Sequence, residues 1–188
     1  MIIKHDFEIV FRDVGKSNTI TNSAILNMLE NIAGMHSNQV GYGLNTIDKT
    51  GVTWVLLNWK LRVFSRPIYG SKLRVETWAR TTVKFYTYRD FRVYDEENNL
   101  VAIATSKWTL LNANTMSIER ITPELIGLYM PENVPVFEDE PEPNKLAAPQ
   151  EISQEYTYTV ARRDIDINNH MHNLFYLDLA YETLPYEV

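Results

Sequence analysis

Apolar positions along the chain follow two periods, and the switch between them divides it into elements. Residues 5–12 alternate loosely, with Phe7, Ile9 and Phe11 on one side, and predict a strand. From Ser23 the apolar positions become Ile25, Leu26, Leu29, Ile32, Ala33, His36 and Val40. That 3.6-residue spacing predicts a helix of about five turns over 22–40, stopped by Gly41-Tyr42-Gly43. His36 falls on the apolar stripe and reads as a hydrogen-bonded core histidine rather than a ligand. Four runs rich in Val, Thr, Trp, Tyr, Phe and Leu follow, at 52–64, 72–83, 85–94 and 100–111. They are separated by Arg66-Pro-Ile-Tyr-Gly70, a short connection near Lys84, and a hairpin turn at Asp95-Glu-Glu-Asn-Asn99. Leu73, Val75, Thr77 and Ala79 alternate with Arg74, Glu76, Trp78 and Arg80, so one face is apolar and the other charged or aromatic. The pattern predicts an α+β fold in which an antiparallel sheet curls round a long helix. Residues 123–129 read as a short helix with Pro123 in its first turn. The stretch 131–150 then holds five prolines, with acids at Glu132, Glu138, Asp139, Glu140 and Glu142, and reads as a semi-rigid linker.

Part of this pattern occurs twice. Shifting the sequence by 151 residues lays Arg12-Asp13 on Arg163-Asp164, Asn18 on Asn169, Asn22 on Asn173 and Leu26 on Leu177. Phe7, Ile9, Ile20 and Met28 then meet Tyr158, Val160, Met171 and Leu179. Two copies of a strand, a polar turn and a helix are expected, because a repeat of this kind precedes any assignment of fold. The shared Arg, Asp and two Asn suit the turn and the helix cap. Asp166, Asn168 and His170 instead replace Gly15, Ser17 and Thr19 of the first copy, so the copies share structure and differ in chemistry.

Composition narrows the classes. With 45% hydrophobic and 12% aromatic residues the chain can bury a core, and with no cysteine it has no disulfide, Cys-metal site or Cys nucleophile. No apolar run approaches the ~18 residues of a membrane span. The N-terminus lacks the layout of a signal peptide. A soluble cytoplasmic protein is expected. Charge is uneven: residues 60–92 carry nine Lys/Arg against Glu76 and Asp90, a balance of +7 within a net −6. These cations read either as a surface for an acidic partner, with Arg62, Arg66 and Arg74 as candidates, or as solvated strand positions that discourage edge pairing.

The window 163–173 concentrates groups able to move protons. A histidine can act as base near neutral pH, an aspartate can orient it or a water, and an Asn amide can steady an oxyanion. Two other readings stand beside this one. Asp166 and Asn168 could be turn-formers with His170 on the surface, or His170-x-His172 could hold a metal with Asp164 and Asp166. A calcium loop is excluded by Asn169 and Phe175 at its sixth and twelfth positions. No Gly-x-Ser-x-Gly or phosphate-binding glycine loop occurs.

The chain resembles the acyl-acyl carrier protein thioesterase family, whose members carry two hotdog domains in tandem. The resemblance rests on Gly51-Val-Thr-Trp-Val-Leu56, Arg66-Pro67 with Gly70, Val75-Glu-Thr-Trp78, Arg89-Asp-Phe-Arg-Val-Tyr-Asp95, and Asp164-Ile-Asp-Ile-Asn-Asn-His170 with Asn173. It implies a first hotdog domain over 1–130 that shapes the acyl pocket, a linker over 131–150, and the start of a second domain over 151–188. It implies Asp166, Asn168 and His170 as a catalytic set hydrolysing acyl carrier protein thioesters in fatty acid biosynthesis, with no cofactor and no metal. In that family the second domain continues through further strands, one bringing another carboxylate to the site, so a truncated second copy is expected here. The alternative is a non-catalytic hotdog protein that binds acyl chains or scaffolds an assembly. The apolar residues Leu174, Phe175, Leu177, Leu179, Ala180 and Leu184 of a helix at about 173–184 predict self-association.

Overall fold

A computed structural model describes residues 1–82, 84–148, 150–152 and 154–184. The end of the expected 72–83 strand at Val83, the linker's Pro149, Ser153 and residues 185–188 lie outside them. Two compact units emerge, residues 1–144 and 145–188.

Unit 1 begins with strand β1 (Ile3–Glu8) and the tight turn Phe11–Asp13, followed by helix α1 (Asn22–Gln39). A short helix α2 (Ile47–Thr50) leads to β2 (Val52–Val63), β3 (Lys72–Ala79), β4 (Tyr86–Tyr94) and β5 (Leu100–Asn112). A two-residue strand β6 (Ile118–Glu119) and helix α3 (Pro123–Leu128) follow. The strands form one antiparallel sheet ordered β1-β3-β4-β5-β2, with β6 beside β5. The expected helix and four strands are all present. Neither α2 nor β6 was expected, since four and two residues are too few to set up a period. β1 is shorter than expected, because the chain turns at residues 11–13 and leaves Phe11 84% exposed rather than in line with Phe7 and Ile9.

Helix α1 starts at Thr21, whose hydroxyl accepts the Ala24 N–H at 3.1 Å. It buries Ile25, Leu29, Ile32 and Ala33 over the sheet face that carries Leu73, Val75, Phe91 and Val93. At ~1.5–3 kcal/mol per large buried side chain, this layer is the main source of the unit's stability. His36 is fully buried in it, its Nδ1 3.1 Å from Arg89 Nη1 and its ring edge-on to Tyr129. Because a guanidinium only donates, Nδ1 accepts and the imidazole is neutral. Burial, then the Arg89 charge, pulls its pKa down to about 4.

On the outer face, part of the basic region is covered rather than solvated. Trp78, Arg80 and Asp90 are buried there, beneath residues 131–144, while Glu76 is buried with Lys4 2.8 Å from its carboxylate. The Trp78 indole N–H donates to Val134 O at 3.0 Å, Arg80 Nη2 to Pro141 O at 2.8 Å and Tyr88 Oη to Glu142 Oε2 at 2.6 Å. Lys60 Nζ meets the Glu140 carbonyl at 2.9 Å and its carboxylate at 3.1 Å. Phe137 is buried, with Lys60 and Arg62 over its ring at 4.5 and 5.4 Å. The expected linker is therefore, as far as Asn144, a strap on the sheet. Proline suits it, since a strap held by its carbonyls and side chains needs few N–H donors.

Candidate active site

The duplication predicted from the sequence is present bond for bond in the two polar turns. In unit 1, Asp13 Oδ2 accepts the Val10 N–H at 2.9 Å, Gly15 N–H reaches Thr19 O at 3.0 Å, Asn18 N–H reaches Gly15 O at 2.9 Å, and Thr21 N–H reaches Asp13 O at 2.9 Å. In unit 2, Asp164 Oδ2 accepts the Ala161 N–H at 2.6 Å, Asp166 N–H reaches His170 O at 2.8 Å, Asn169 N–H reaches Asp166 O at 3.1 Å, and His172 N–H reaches Asp164 O at 2.8 Å. Asn18 and Asn169 take positive φ, 59° and 60°. Asparagine adopts that conformation more readily than most residues, which explains its place in both copies. The helix caps are not the shared asparagines. They are Thr21 and its counterpart His172, whose Nδ1 accepts the Leu174 N–H at 3.4 Å. His172 thus has a structural task at the start of α4 (Asn173–Glu182).

The strand expected before the second turn does not form: residues 154–161 run without sheet pairing. In unit 1 the matching segment is β1, held along its length by β3. The described residues of unit 2 supply no such partner, and a lone strand leaves its backbone groups to water.

All three predicted catalytic residues converge on this second turn. Asp166 Oδ1 accepts the backbone N–H groups of Asn168 at 2.8 Å and His170 at 3.2 Å. His170 Nδ1 lies 2.7 Å from the Asn168 carbonyl oxygen. A carbonyl can only accept, so Nδ1 carries the proton and Nε2 is the basic nitrogen. The carboxylate therefore orients the base through the main chain rather than by touching the ring. His170 is exposed and Asn168 half-buried.

Asp164 was read from the sequence only as turn framework or a possible metal ligand. It is buried and accepts from Tyr158 Oη at 2.7 Å as well as from Ala161. The Tyr158 hydroxyl and then the Ala161 N–H hold its carboxyl below the usual range. Beside it opens a cleft of about 300 Å³ lined by Tyr156, Tyr158, Met171, Phe175 and Leu179 among others. The unit 1 counterparts of the last three, Ile20, Ala24 and Met28, are core residues under the sheet. Along α4, Leu174 is buried and Phe175, Leu177 and Leu179 half-buried, while Ala180 is exposed, as is Leu184 past the helix end.

The three candidate docking arginines are not brought together. Arg62 lies on β2 at one side of the sheet, with its guanidinium over Phe137. Arg74 lies on β3, with β4 and β5 between it and β2. It donates to Asn98 Oδ1 at 2.7 Å and covers the Tyr94 ring. Arg66 donates to Ile20 O at 2.9 Å and Asn22 Oδ1 at 2.7 Å, fastening the first turn to the loop after β2.

Residues 1–129 match the family model described as the acyl-ACP thioesterase N-terminal domain, and residues 147–188 the one described as its C-terminal domain. The chain belongs to the acyl-ACP thioesterase family. Among its acyl-ACP thioesterase relatives, the chloroplastic oleoyl-acyl carrier protein thioesterase 2 of Arabidopsis thaliana is 27% identical over 201 residues, covering 98% of this chain and 54% of that protein. The chloroplastic dodecanoyl-[acyl-carrier-protein] hydrolase of Umbellularia californica is 27% identical over 198 residues, covering 98% and 51%. This chain spans about half the length of the curated relatives it matches. The solved 12:0-ACP thioesterase from Umbellularia californica superposes with a TM-score of 0.83 at 26% identity, covering 98% of this chain and 71% of that one. An acyl-ACP thioesterase from Bacteroides thetaiotaomicron gives 0.75 at 26% identity, covering 99% and 74%. These likenesses bear out the hotdog fold, a long helix against an antiparallel sheet.

Proposed function

We propose that the protein hydrolyses fatty acyl thioesters of acyl carrier protein, releasing the fatty acid, and that Asp166, Asn168 and His170 carry out the reaction. One observation carries the assignment. The second turn repeats the backbone bonds of the first while replacing Gly15, Ser17 and Thr19 by a carboxylate, an amide and an imidazole in the base tautomer. In this reading His170 Nε2 takes a proton from water as the oxygen attacks the thioester carbonyl. The Asn168 amide stabilises the resulting oxyanion. The C–S bond then breaks, and the departing thiolate takes its proton from His170. Asp166 holds the imidazole in place by gripping the main chain.

Asn168→Ala tests the division of roles. Steady-state kinetics on an acyl-carrier thioester should show kcat falling by at least about tenfold with KM changed much less, because the amide acts on the transition state. A rise in KM alone would remove Asn168 from the chemistry. A wild-type chain that binds the acyl carrier without turnover would support an acyl-binding or scaffolding role instead.

Docking of the acidic carrier at Arg62, Arg66 and Arg74 is part of the proposal, with separable expectations. Arg62→Glu should slow carrier association by about two- to tenfold at low salt while hydrolysis of small acyl-CoA mimics is unchanged. Arg66→Glu and Arg74→Glu also break internal hydrogen bonds and should lower the melting temperature. Equal losses on both substrates for Arg62→Glu would show that it serves the pocket rather than the carrier.

A further inference from the structure

The two copies differ at one more position that bears on the turn. Tyr158 of the second copy stands where the first has Phe7. Its hydroxyl donates to Asp164 Oδ2 at 2.7 Å, and the same oxygen accepts the Ala161 N–H at 2.6 Å. Arg163 Nε lies 3.6 Å from the other carboxylate oxygen. In unit 1 the matching Asp13 accepts the Val10 N–H at 2.9 Å, but a phenyl ring at residue 7 has no proton to give it. Asp164 is 1% accessible, whereas Asp13 is half-buried. The copy that carries the reactive side chains is the one whose framework aspartate has gained a donor.

Asp164 stands at the base of a small hairpin whose tip holds those side chains. Its carbonyl accepts the His172 N–H at 2.8 Å, Ile165 and Met171 pair across the middle, and Asp166 N–H reaches His170 O at 2.8 Å. The Asp164 N–H donates to Ala161 O at 3.0 Å, so Ala161 and Asp164 bond in both directions. What differs between the copies is how the segment entering the turn is held. Phe7 is fixed by the ladder between β1 and β3, opposite Leu73. Among the described residues of unit 2 the segment 154–161 has no ladder. A charge-assisted O–H···O⁻ bond from Tyr158 to the base of the hairpin takes its place.

We propose that Tyr158 is a positioning residue: through Asp164 it steadies the hairpin, so that the His170 imidazole keeps its place on the Asn168 carbonyl. Its effect on rate rests on the hydrolytic reading of the turn, while its effect on geometry is measured apart from rate. Tyr158→Phe removes the hydroxyl and keeps the ring. In that variant kcat on an acyl-carrier thioester should fall at least about threefold with KM within about twofold, short of the ~10²-fold that a 1 Å displacement can cost. Phe7→Tyr, which places a hydroxyl at the matching position of the first copy, should leave kcat as in wild type. In Tyr158→Phe the amides of Asn168, His170 and His172 should exchange with solvent at least about fivefold faster. The imidazole nitrogen resonances of His170 should show loss of the fixed Nδ1–H tautomer. Melting curves establish that each variant is folded at the assay temperature. Unchanged exchange and tautomer in Tyr158→Phe overturn the proposal, as does a lower melting temperature with kcat unchanged, or an equal loss of kcat in Phe7→Tyr. If the wild type does not hydrolyse the thioester but exchange and tautomer change as expected, the hydrolytic reading fails and the positioning role of Tyr158 stands.

Discussion

His170→Ala is expected to lower kcat on an acyl-carrier thioester by at least about 10²-fold, or about 2.7 kcal/mol of transition-state stabilisation, with His172→Ala costing far less. The two imidazoles stand two residues apart but have different tasks. His170 donates from Nδ1 to the Asn168 carbonyl and presents Nε2 as a base, whereas His172 uses Nδ1 to receive a helix N–H. Replacing a cap costs about 1 kcal/mol of stability and leaves the turn's other bonds in place. Side-by-side kinetics and melting curves separate the two effects: His170→Ala should lose activity with little change in melting temperature, and His172→Ala the reverse. Equal losses of kcat, or abolition by chelators, would favour the metal reading of the His-x-His pair.

Asp90→Ala should be among the most damaging substitutions for folding. Asp90 is buried between the sheet and the strap, with its Oδ2 3.1 Å from Arg80 Nε. The Thr105 hydroxyl donates to its other oxygen and the Val136 backbone also bonds to it. Removing the carboxylate strands a buried guanidinium, at about 3–5 kcal/mol. In a domain of this size each kcal/mol moves the midpoint by ~2–4 °C, so a fall of roughly 6–20 °C is expected. The paired change Arg80→Met with Asp90→Leu should recover most of it, because neither charge then needs a partner. A melting temperature within about 2 °C of wild type for Asp90→Ala would show that the pair is screened by solvent.

The parts of this fold that were legible in the sequence are those in which one side chain in two, or in about three and a half, faces a core. Helix α1 and the alternation Leu73, Val75, Thr77, Ala79 are of that kind. The strap was not legible. It is held by Trp78 and Arg80 donating to carbonyls at 134 and 141, and any residue offers a carbonyl. Its prolines and acids therefore looked like a linker. The same blindness misread Arg80 and Arg89 as surface or docking cations, although both are buried. In the turn, comparison of the copies isolated Asp166, Asn168 and His170, and the structure gathers them. What it could not reveal was that Asp166 acts on the main chain, since such bonds are independent of partner identity.

The twin turns also bear on how the site could change. A Cβ at Gly15 would meet nothing nearer than Thr21 Cγ2 at 3.6 Å, an ordinary contact, so the first loop has room for a larger residue where the second has Asp166. Asp13 with Asn18 and Asp164 with Asn169 are the positions the two turns share, whereas 166, 168 and 170 are positions at which they differ. Side chains can accordingly differ at 166, 168 and 170 without redrawing the backbone bonds, as Gly15, Ser17 and Thr19 show. The loop works as an interchangeable mount, and its cargo is free to vary.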